Sequence, residues 1–364
     1  MKVFVTGGTG LVGSHVIEQL LARGDQVLAL VREGKTIRTE STERTERTER
    51  TGRTGRTGRT ERTGAQVIHG SLSDGAIIEQ AIEQCDAVVH AAAIILKGGG
   101  WDDFRVANVE PTERIARAAA RFDRRLVHIS SVAVYGRRTT YEGGPGSVSE
   151  DFGMSRPTWP GDHYGRSKRE AEQAVWRVAE ATKLRAVALR PCVIYGEGDR
   201  TFAIRVAQVV RRGIAPVIGR GDNTLSIVYA GNVAAAVLAA LDRPAVTGPF
   251  NVANDGALSQ RGFLEAFARG MNCRLRIVAL PRGAAKAAAY GIDSLVRLVH
   301  RGPGMTTLKA AVQFLSSENP YVSDKARREL GWQPVLPPAL AAERTGAWFA
   351  QKQQGHPQGA PLRQ

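Results

Sequence analysis

The sequence predicts an α/β protein in which a doubly wound parallel sheet is accompanied by a smaller C-terminal α/β substrate domain. Three observations lead to this prediction. A short apolar strand runs into regularly spaced glycines near residue 10, apolar segments then alternate with helical patterns, and polar residues follow several of the strands. Such alternation is typical of a parallel sheet covered by helices on both faces. Because ligands of these folds bind beyond the carboxyl ends of the strands, we expect the chemistry there.

The first strand and its glycines carry the most specific pattern, TGGTGLVG at residues 6–13. A strand at 3–6 is followed by three glycines, a helix with apolar positions at 16, 17, 20 and 21, and a second strand at 27–31. Gly7 permits a tight turn, Gly10 lets the backbone approach a pyrophosphate, and Gly13 allows the helix to pack closely on the strand. The helix N-terminus offers free amides and a positive dipole end to phosphates. The pattern predicts a Rossmann-type dinucleotide-binding unit.

The second strand ends at Arg32, which bears on the choice of cofactor. Rossmann units that select NAD usually place an acid here, where it accepts hydrogen bonds from the ribose hydroxyls. A guanidinium instead suits a 2′-phosphate. We therefore favour NADP as the cofactor, with NAD as the alternative. Arg32 as a solvated charge that begins a loop is the other interpretation.

Further strands are predicted at 67–69, 87–90, 126–130 and 186–189. Ser131 follows the third of these, and Tyr164 and Lys168 stand four residues apart at the start of the next long helix, so they share one face. A phenol has an ordinary pKa near 10, so its use as an acid or base at neutral pH requires about 4 kcal/mol of phenolate stabilisation. A lysine ammonium and an oxidised nicotinamide ring are suited to supply it, and Ser131 could hold a substrate oxygen near Tyr164. An isolated YxxxK is more often a surface pair, but its order after a glycine turn and a strand-end serine favours a catalytic site.

Six segments resemble the extended short-chain dehydrogenase/reductases: TGGTGLVG at 6–13, HAAA at 90–93, ANVEPT at 107–112, SSVAVYG at 130–136, YGRSK at 164–168 and LRPCVIYGEGD at 189–199. The resemblance extends from residue 1 to about residue 350, outside a threonine repeat at 39–64. It implies a catalytic set of Tyr164, Lys168, Ser131 and Asn108, in which Lys168 also binds the nicotinamide ribose. The cofactor-binding set that it implies is Gly7, Gly10, Leu11, Val12, Gly13, Arg32, Leu72, Ala91, Ala92, Tyr164, Lys168 and Pro191.

Two departures from the family bear on the ligands. Ser71 stands where the family usually carries an acid that meets the adenine. Residues 224–226 are Thr, Leu and Ser, where members that act on nucleotide sugars commonly carry an Arg for the diphosphate. The segments at 217–237 and 321–334 instead resemble the sterol and 3β-hydroxysteroid dehydrogenase branch. An apolar hydroxy or keto substrate does not need that charge.

The expected function is that of an NAD(P)-dependent oxidoreductase that interconverts a secondary alcohol and a ketone by hydride transfer. The expected substrate is an apolar small molecule, sterol-like or another hydroxy or keto compound. A nucleotide-sugar epimerase or dehydratase with tightly bound NAD is one alternative. A non-catalytic NADP-sensing binding protein is another, although such proteins typically lose the Tyr and the Lys that both stand here.

The expected organisation is a dinucleotide-binding domain at 1–190, rejoined by about 224–253, and a substrate-binding domain at 191–223 and 254–350. A disordered tail is expected at 351–364. The segment at 280–302 is interpreted as packing on the substrate domain, with an amphipathic helix on a membrane surface as the alternative. A homodimer formed through helix pairing is implied by the family resemblance.

Composition narrows the classes of protein. The 364 residues carry a net charge of +15. The threonine repeat has seven Arg interleaved with five Glu and no aromatic residue, so we interpret it as a low-complexity, flexible loop and expect no nucleic-acid partner. Cys85, Cys192 and Cys273 form no CxxC pair, and no HxH or HExxH pattern occurs, so no metal site is expected. No apolar run reaches the ~18 residues of a membrane span, and no secretory signal is apparent, so we expect a cytoplasmic protein.

Overall fold

The computed structural model describes residues 1–37, 64–95, 99–136, 147–156, 158, 161–285, 287–289 and 308–354. The predicted flexible loop at 39–64 lies outside these residues except for Gly64. Most of the segment at 280–302 and the predicted tail from residue 355 onward also lie outside them. Residues 351–354 continue the last helix, so the prediction of a disordered tail is wrong for those residues.

The predicted doubly wound parallel sheet is confirmed. Seven strands lie in the order β10-β6-β5-β4-β1-β2-β3, and every neighbouring pair is parallel. The switch between β1 and β4 places the first glycine turn near the middle of the sheet, where ligands of doubly wound folds bind. The strands are β1 Lys2–Thr6, β2 Gln26–Val31, β3 Gln66–His69, β4 Ala87–His90, β5 Arg125–Ile129, β6 Ala186–Pro191 and β10 Gly248–Val252.

Helices cover both faces of this sheet because successive strand residues point to opposite sides. Val3 and Val5 belong to a core beneath the first and seventh helices, whereas Phe4 belongs to a core beneath the second, fourth and fifth. Burial on both faces explains why the strands are almost continuously apolar. The helices named in this order are α1 Leu11–Ala22, α2 Gly75–Glu83, α3 Trp101–Phe104, α4 Glu110–Arg121, α5 His163–Ala181, α6 Ala203–Arg211 and α7 Ala230–Leu241.

Residues after β6 build a smaller unit at the carboxyl edge of the sheet. It contains two short parallel pairs, β7 Val193–Tyr195 with β9 Ile227–Tyr229 and β8 Ile214–Ile218 with β11 Arg276–Leu280. Its core is aromatic, with Tyr195, Phe263 and Phe267 fully buried. The remaining helices are α8 Gln260–Gly270, α9 Leu308–Ser316 and α10 Pro338–Gln354. The chain returns to the large sheet through α7 and β10, which leaves the small unit facing the strand ends.

None of the helices in the described ranges is both long enough and apolar enough to cross a membrane.

Candidate active site

The turn after β1 is shaped by close backbone contacts that only glycine permits. Gly7 has a positive φ of 76°, and a Cβ on it would lie 2.6 Å from the amide nitrogen of Ala92, in the segment that follows β4. A Cβ on Gly13 would overlap the carbonyl oxygen of Gly7. The same carbonyl accepts a hydrogen bond from the Gly10 amide at 2.9 Å. Helix α1 therefore sits directly against the turn, at the carboxyl ends of β1 and β4.

The N-terminus of α1 is open toward the edge of the sheet. Gly10 occupies the N-cap position with φ −89° and ψ 172°, it is exposed, and no side chain of a described residue caps the helix there. The first turn, which begins with Leu11 and Val12, contains no acid. Uncapped amides and the helix dipole favour a bound anion. The residues present thus fit the phosphates of a dinucleotide.

Arg32 and Ser71 lie side by side at the neighbouring strand ends. The amide of Gly70 donates to the carbonyl of Val31, which fixes the two strands at this point. Arg32 is exposed, and the Ser71 hydroxyl contacts the Ser73 hydroxyl at 2.9 Å. This edge therefore presents a cation where an acid would indicate NAD, and a neutral hydroxyl where the family usually carries the acid that meets the adenine.

The other residues of the expected cofactor set lie along the same edge. Leu72 follows β3, and its carbonyl accepts a hydrogen bond from Arg114 at 2.7 Å. Ala91 and Ala92 directly follow β4, and the amide of Ala91 donates to the carbonyl of Thr6 at 3.2 Å. Pro191 ends β6, beside β10. The predicted cofactor residues thus surround the carboxyl ends of the parallel strands.

Helix α5 carries Tyr164 in its first turn and Lys168 in its second. The helix begins at Asp162, whose carboxylate accepts a hydrogen bond from the Gly165 amide at 2.7 Å. Lys168 is buried, and its ammonium donates to the carbonyl of Ile129 at 2.6 Å. Burial lowers the pKa of Lys168 to about 8, while the Glu172 carboxylate raises it. Lys168 therefore carries its charge at neutral pH.

The Tyr164 phenol behaves differently from the expectation. Its pKa is raised because burial disfavours the phenolate, and Asp162 adds to this, while the hydrogen bond with Ser131 lowers it. Lys168 was expected to lower this pKa, but its ammonium is directed at the Ile129 carbonyl instead. The phenol thus holds its proton more firmly than a free tyrosine does.

Ser131 lies two residues beyond the end of β5 and starts a short turn of helix at Val132–Tyr135. Its Oγ accepts a hydrogen bond from the Ala133 amide at 3.2 Å, and the side chain is almost fully buried. This turn fixes the hydroxyl beside Tyr164. The structure therefore brings the serine and the tyrosine close together.

Asn108 lies in a single turn of π-helix, Arg105–Val109. Such turns are often found at functional sites. Its Oδ1 accepts from the Ile94 amide at 2.8 Å, and its Nδ2 donates to the Ile94 carbonyl at 3.1 Å and to the Ser167 hydroxyl at 2.9 Å. Ser167 directly precedes Lys168. Asn108 thus joins the segment after β4 to the helix that carries Tyr164, and its amide is occupied by these protein groups.

A buried ion pair beneath Lys168 was missed by sequence reasoning. Glu172 and Arg190 are fully buried, and an Arg190 nitrogen lies 2.5 Å from a Glu172 oxygen. Burial opposes the charge on Arg190, but the carboxylate more than offsets this, so the pKa of Arg190 is raised. The sequence does contain one indication of this ion pair, the charged Arg190 inside the apolar strand ALRP, because a buried charge requires a partner. The partner itself, eighteen residues earlier in the chain, has no such signal.

The segment at 224–226 is held by polar contacts within the smaller unit. The Thr224 amide donates to the carboxylate of Glu318 at 3.0 Å, Leu225 is buried, and the Ser226 hydroxyl contacts Asn319 at 3.3 Å. An acid, Glu318, therefore lies beside residue 224, in the segment where the family resemblance would place the arginine of nucleotide-sugar members.

No cluster of three or more potential metal ligands occurs within the part of the chain that the structure describes.

The glycine turn, the open helix N-terminus and the Ser–Tyr–Lys arrangement define an NAD(P)-dependent α/β enzyme of the extended short-chain dehydrogenase/reductase type. A sequence model described as "NAD dependent epimerase/dehydratase family" matches residues 3–253. The chain belongs to this family.

Characterised relatives extend over almost the whole chain. It is 30% identical over 335 residues to 4-hydroxy-2-methyl-3-oxo-4-farnesyl-3,4-dihydroquinoline-1-oxide ketoreductase of Stigmatella aurantiaca, covering 91% of this chain and 92% of that protein. It is 24% identical to a decarboxylating sterol-4-alpha-carboxylate 3-dehydrogenase of Candida albicans, with 96% and 97% covered. The solved structure of UDP-glucuronic acid 4-epimerase from Bacillus cereus with NAD has a TM-score of 0.67 at 18% identity, over 98% and 99% of the two chains. At that identity the likeness shows the fold alone.

Proposed function

We propose that the protein is an NADPH-dependent reductase that converts an apolar ketone to a secondary alcohol and can run in reverse, with Tyr164 as the group that exchanges a proton with the substrate oxygen. The observation that carries this proposal is the position of the Tyr164 phenol. It lies close enough to the Ser131 hydroxyl, just beyond the end of β5, for that hydroxyl to lower its pKa, and Lys168 lies one helical turn away. The ketoreductase and sterol dehydrogenase relatives support the choice of reaction.

The protonation state of Tyr164 suits the reduction of a ketone. Because burial raises the pKa of Tyr164, the phenol is protonated at neutral pH and can donate to a ketone oxygen. Ser131, fixed by its turn, can hold that oxygen in place. The nicotinamide, when bound, supplies the hydride, and its oxidised ring adds the positive charge that a phenolate requires. Lys168 is charged below a pKa of about 8 and is held at the Ile129 carbonyl, one helical turn from the phenol.

The preference for NADP(H) follows from the end of β2. Arg32 is exposed at the edge where the adenosine half of a dinucleotide lies in this fold, and Ser71 replaces an acid on the adjacent strand end. A guanidinium at this point can form two hydrogen bonds with a 2′-phosphate. Arg32 is the first residue after β2, and Glu33 follows it in the turn.

The proposal of an apolar substrate rests on the smaller unit and on the segment after β4. Glu318 lies at the Thr224 amide, so a diphosphate would meet a negative charge there. Ile95 is 55% exposed and continues the segment that Asn108 anchors beside the catalytic helix. An apolar ring or alkyl chain can pack on such a side chain. The relative that acts on a farnesylated quinoline oxide is consistent with this chemistry.

The proposal is tested by following NADPH absorbance while purified protein is given a panel of 2-alkyl-3-keto acids, cyclic ketones and farnesylated or steroidal ketones. We expect steady NADPH consumption with at least one apolar ketone and none with UDP-sugars. Interconversion of a UDP-sugar without net cofactor consumption would instead establish the epimerase alternative. Cofactor binding with no turnover of any substrate would establish the sensor alternative. The homodimer and the peripheral membrane contact stay predictions, to be tested by sedimentation and by vesicle co-flotation.

A further inference from the structure

Helix α5 contacts the end of β5 through three side chains on one face. Tyr164, Lys168 and Glu172 are spaced four residues apart, so they line the same side of the helix. They meet the consecutive residues 129–131 at the end of the strand. Lys168 donates to the Ile129 carbonyl at 2.6 Å, and Glu172 accepts from the Ser130 hydroxyl at 2.5 Å. Tyr164 lies near the Ser131 hydroxyl, which lowers the pKa of the phenol.

Glu172 is the most constrained of the three side chains. Its two oxygens accept hydrogen bonds from the Arg190 guanidinium, at 2.5 Å and 3.1 Å, as well as from Ser130. Arg190 belongs to β6, which pairs with β5 in the sheet. The carboxylate is therefore tied to two adjacent strands, whereas Tyr164 reaches only the end of β5. Because two hydrogen bonds join the carboxylate to the guanidinium, they fix the position of Glu172 along the strands as well as its distance from them.

We infer that Glu172 is a positioning residue, which fixes where α5 lies along the ends of β5 and β6 and thereby places Tyr164 and Lys168 relative to Ser131. This inference rests on the proposed function, because the residues it positions are those assigned to proton exchange. The carboxylate itself lies beneath the site, bonded to Ser130, Arg190 and Trp176, so it acts through its neighbours.

Glu172 also acts on the charge of Lys168. The two side chains are one turn apart in a buried environment, where an opposite charge favours the ammonium. The other titratable groups near Lys168 are His90 on β4 and His128 on β5, which are fully buried and stack on each other. Burial, then the charge of Lys168, lowers the pKa of His90 to about 3 and the pKa of His128 well below its ordinary value. Neither histidine titrates in the range where Lys168 does.

Two substitutions separate position from charge. Glu172→Gln keeps the length of the side chain and removes its charge, whereas Glu172→Asp keeps the charge and shortens the reach to Ser130. We expect kcat to fall at least tenfold in both, with the KM for NADPH changed less than threefold. We expect the alkaline limb of the kcat profile to move about 1 pH unit lower in Glu172→Gln and to stay in place in Glu172→Asp.

Trp176→Phe is the matched control. It removes a hydrogen bond of 3.0 Å to the same carboxylate, but this bond lies within α5 and does not reach the sheet. We expect the Trp176→Phe variant to have the kcat of the wild type.

If Glu172→Gln does not fold, Ser130→Ala removes only the β5 contact and leaves the pair with Arg190 intact. We expect a several-fold loss of kcat from that variant. Wild-type kcat in Ser130→Ala, or the same pH profile in Glu172→Gln as in wild type, overturns the inference.

A measurement without turnover keeps the inference separate from the proposed function. The folded pKa of Lys168 is lowered to about 8 from an ordinary 10.5, so the unfolded chain binds more protons between these values. Stability from this group therefore rises as pH increases across that window. We expect the pH-dependent rise in the free energy of unfolding to begin at lower pH in Glu172→Gln. We expect that rise to be absent in Lys168→Met. An identical pH dependence of unfolding in wild type and Glu172→Gln contradicts the inference even if no ketone is reduced. Absent turnover with the expected pH dependence contradicts only the proposed function.

Discussion

The side-chain amide of Asn108 pairs with the backbone of Ile94 through two hydrogen bonds, much as two strand residues pair. Oδ1 accepts from the Ile94 amide at 2.8 Å and Nδ2 donates to the Ile94 carbonyl at 3.1 Å. The same Nδ2 donates to Ser167, beside Lys168. One buried side chain thus holds both the segment after β4 and the catalytic helix.

Replacement of Asn108 by Ala should therefore affect both stability and catalysis. It leaves the Ile94 amide and carbonyl without their partner, so we expect unfolding free energy to fall by about 2 kcal/mol. We also expect kcat/KM to fall at least tenfold, measured with NADPH and a reduced ketone. Asn108→Asp keeps the acceptor and loses the donor, so it should give an intermediate loss. Wild-type values in both variants would contradict this role.

Tyr164→Phe should nearly abolish turnover. The variant keeps the ring and loses the proton that the phenol donates, and positioned proton transfer contributes about 10²- to 10⁴-fold. We expect kcat to fall by at least about 10²-fold, while the dissociation constant for NADPH, measured by fluorescence, changes less than threefold. A variant that retains a tenth of the wild-type rate would remove Tyr164 from the mechanism.

Arg32→Ala should weaken NADPH binding selectively. A charge-assisted hydrogen bond contributes about 1.5–3 kcal/mol, so affinity for NADPH should fall roughly 10- to 100-fold while affinity for NADH is unchanged. Lys183→Ala removes an exposed cation after α5 and controls for net charge. Equal loss for both cofactors, or loss in Lys183→Ala, would show that Arg32 does not read the 2′-phosphate.

Gly13→Ala should damage the phosphate-binding turn. The added methyl group would overlap the Gly7 carbonyl, so either the turn or α1 must shift. We expect the melting temperature to fall by several degrees and NADPH affinity to fall at least tenfold. Gly100→Ala is the matched control, because Gly100 has φ −83° and no atom of a described residue lies within 4 Å of its added Cβ. Its melting temperature should equal that of the wild type.

The three thiols should differ in reactivity. Cys85 and Cys192 are buried, and burial raises the pKa of Cys85 to about 11 and that of Cys192 well above its usual range. Cys273 is half-buried. Because the thiolate is the reactive form, a disulfide reagent at pH 8 should label one thiol in the native protein and three after denaturation. Cys273→Ser should remove the native label, and rapid labelling of two or three native thiols would contradict this packing.

The sheet could be predicted from the sequence because its strands are buried on both faces and read as apolar runs between helical patterns. That Tyr164 and Lys168 share one face of α5 could be predicted because YxxxK sets their spacing on a helix. The partner of Arg190 could not, since a buried ion pair joins residues that only the fold brings together. The direction of the Tyr164 pKa was also missed, because burial, which outweighs the nearby charges, is a property of the packed structure.

The approach of Gly7 to Ala92 has a consequence for how the nascent chain acquires its phosphate-binding turn. The glycines lie within the first 13 residues, yet one wall of their turn comes from a segment some eighty residues later. A peptide that ends after β2 would carry the whole motif without that wall. The approach of Gly7 to Ala92 exists only when β4 lies beside β1, so a transplant of the motif that keeps this wall would need both strands.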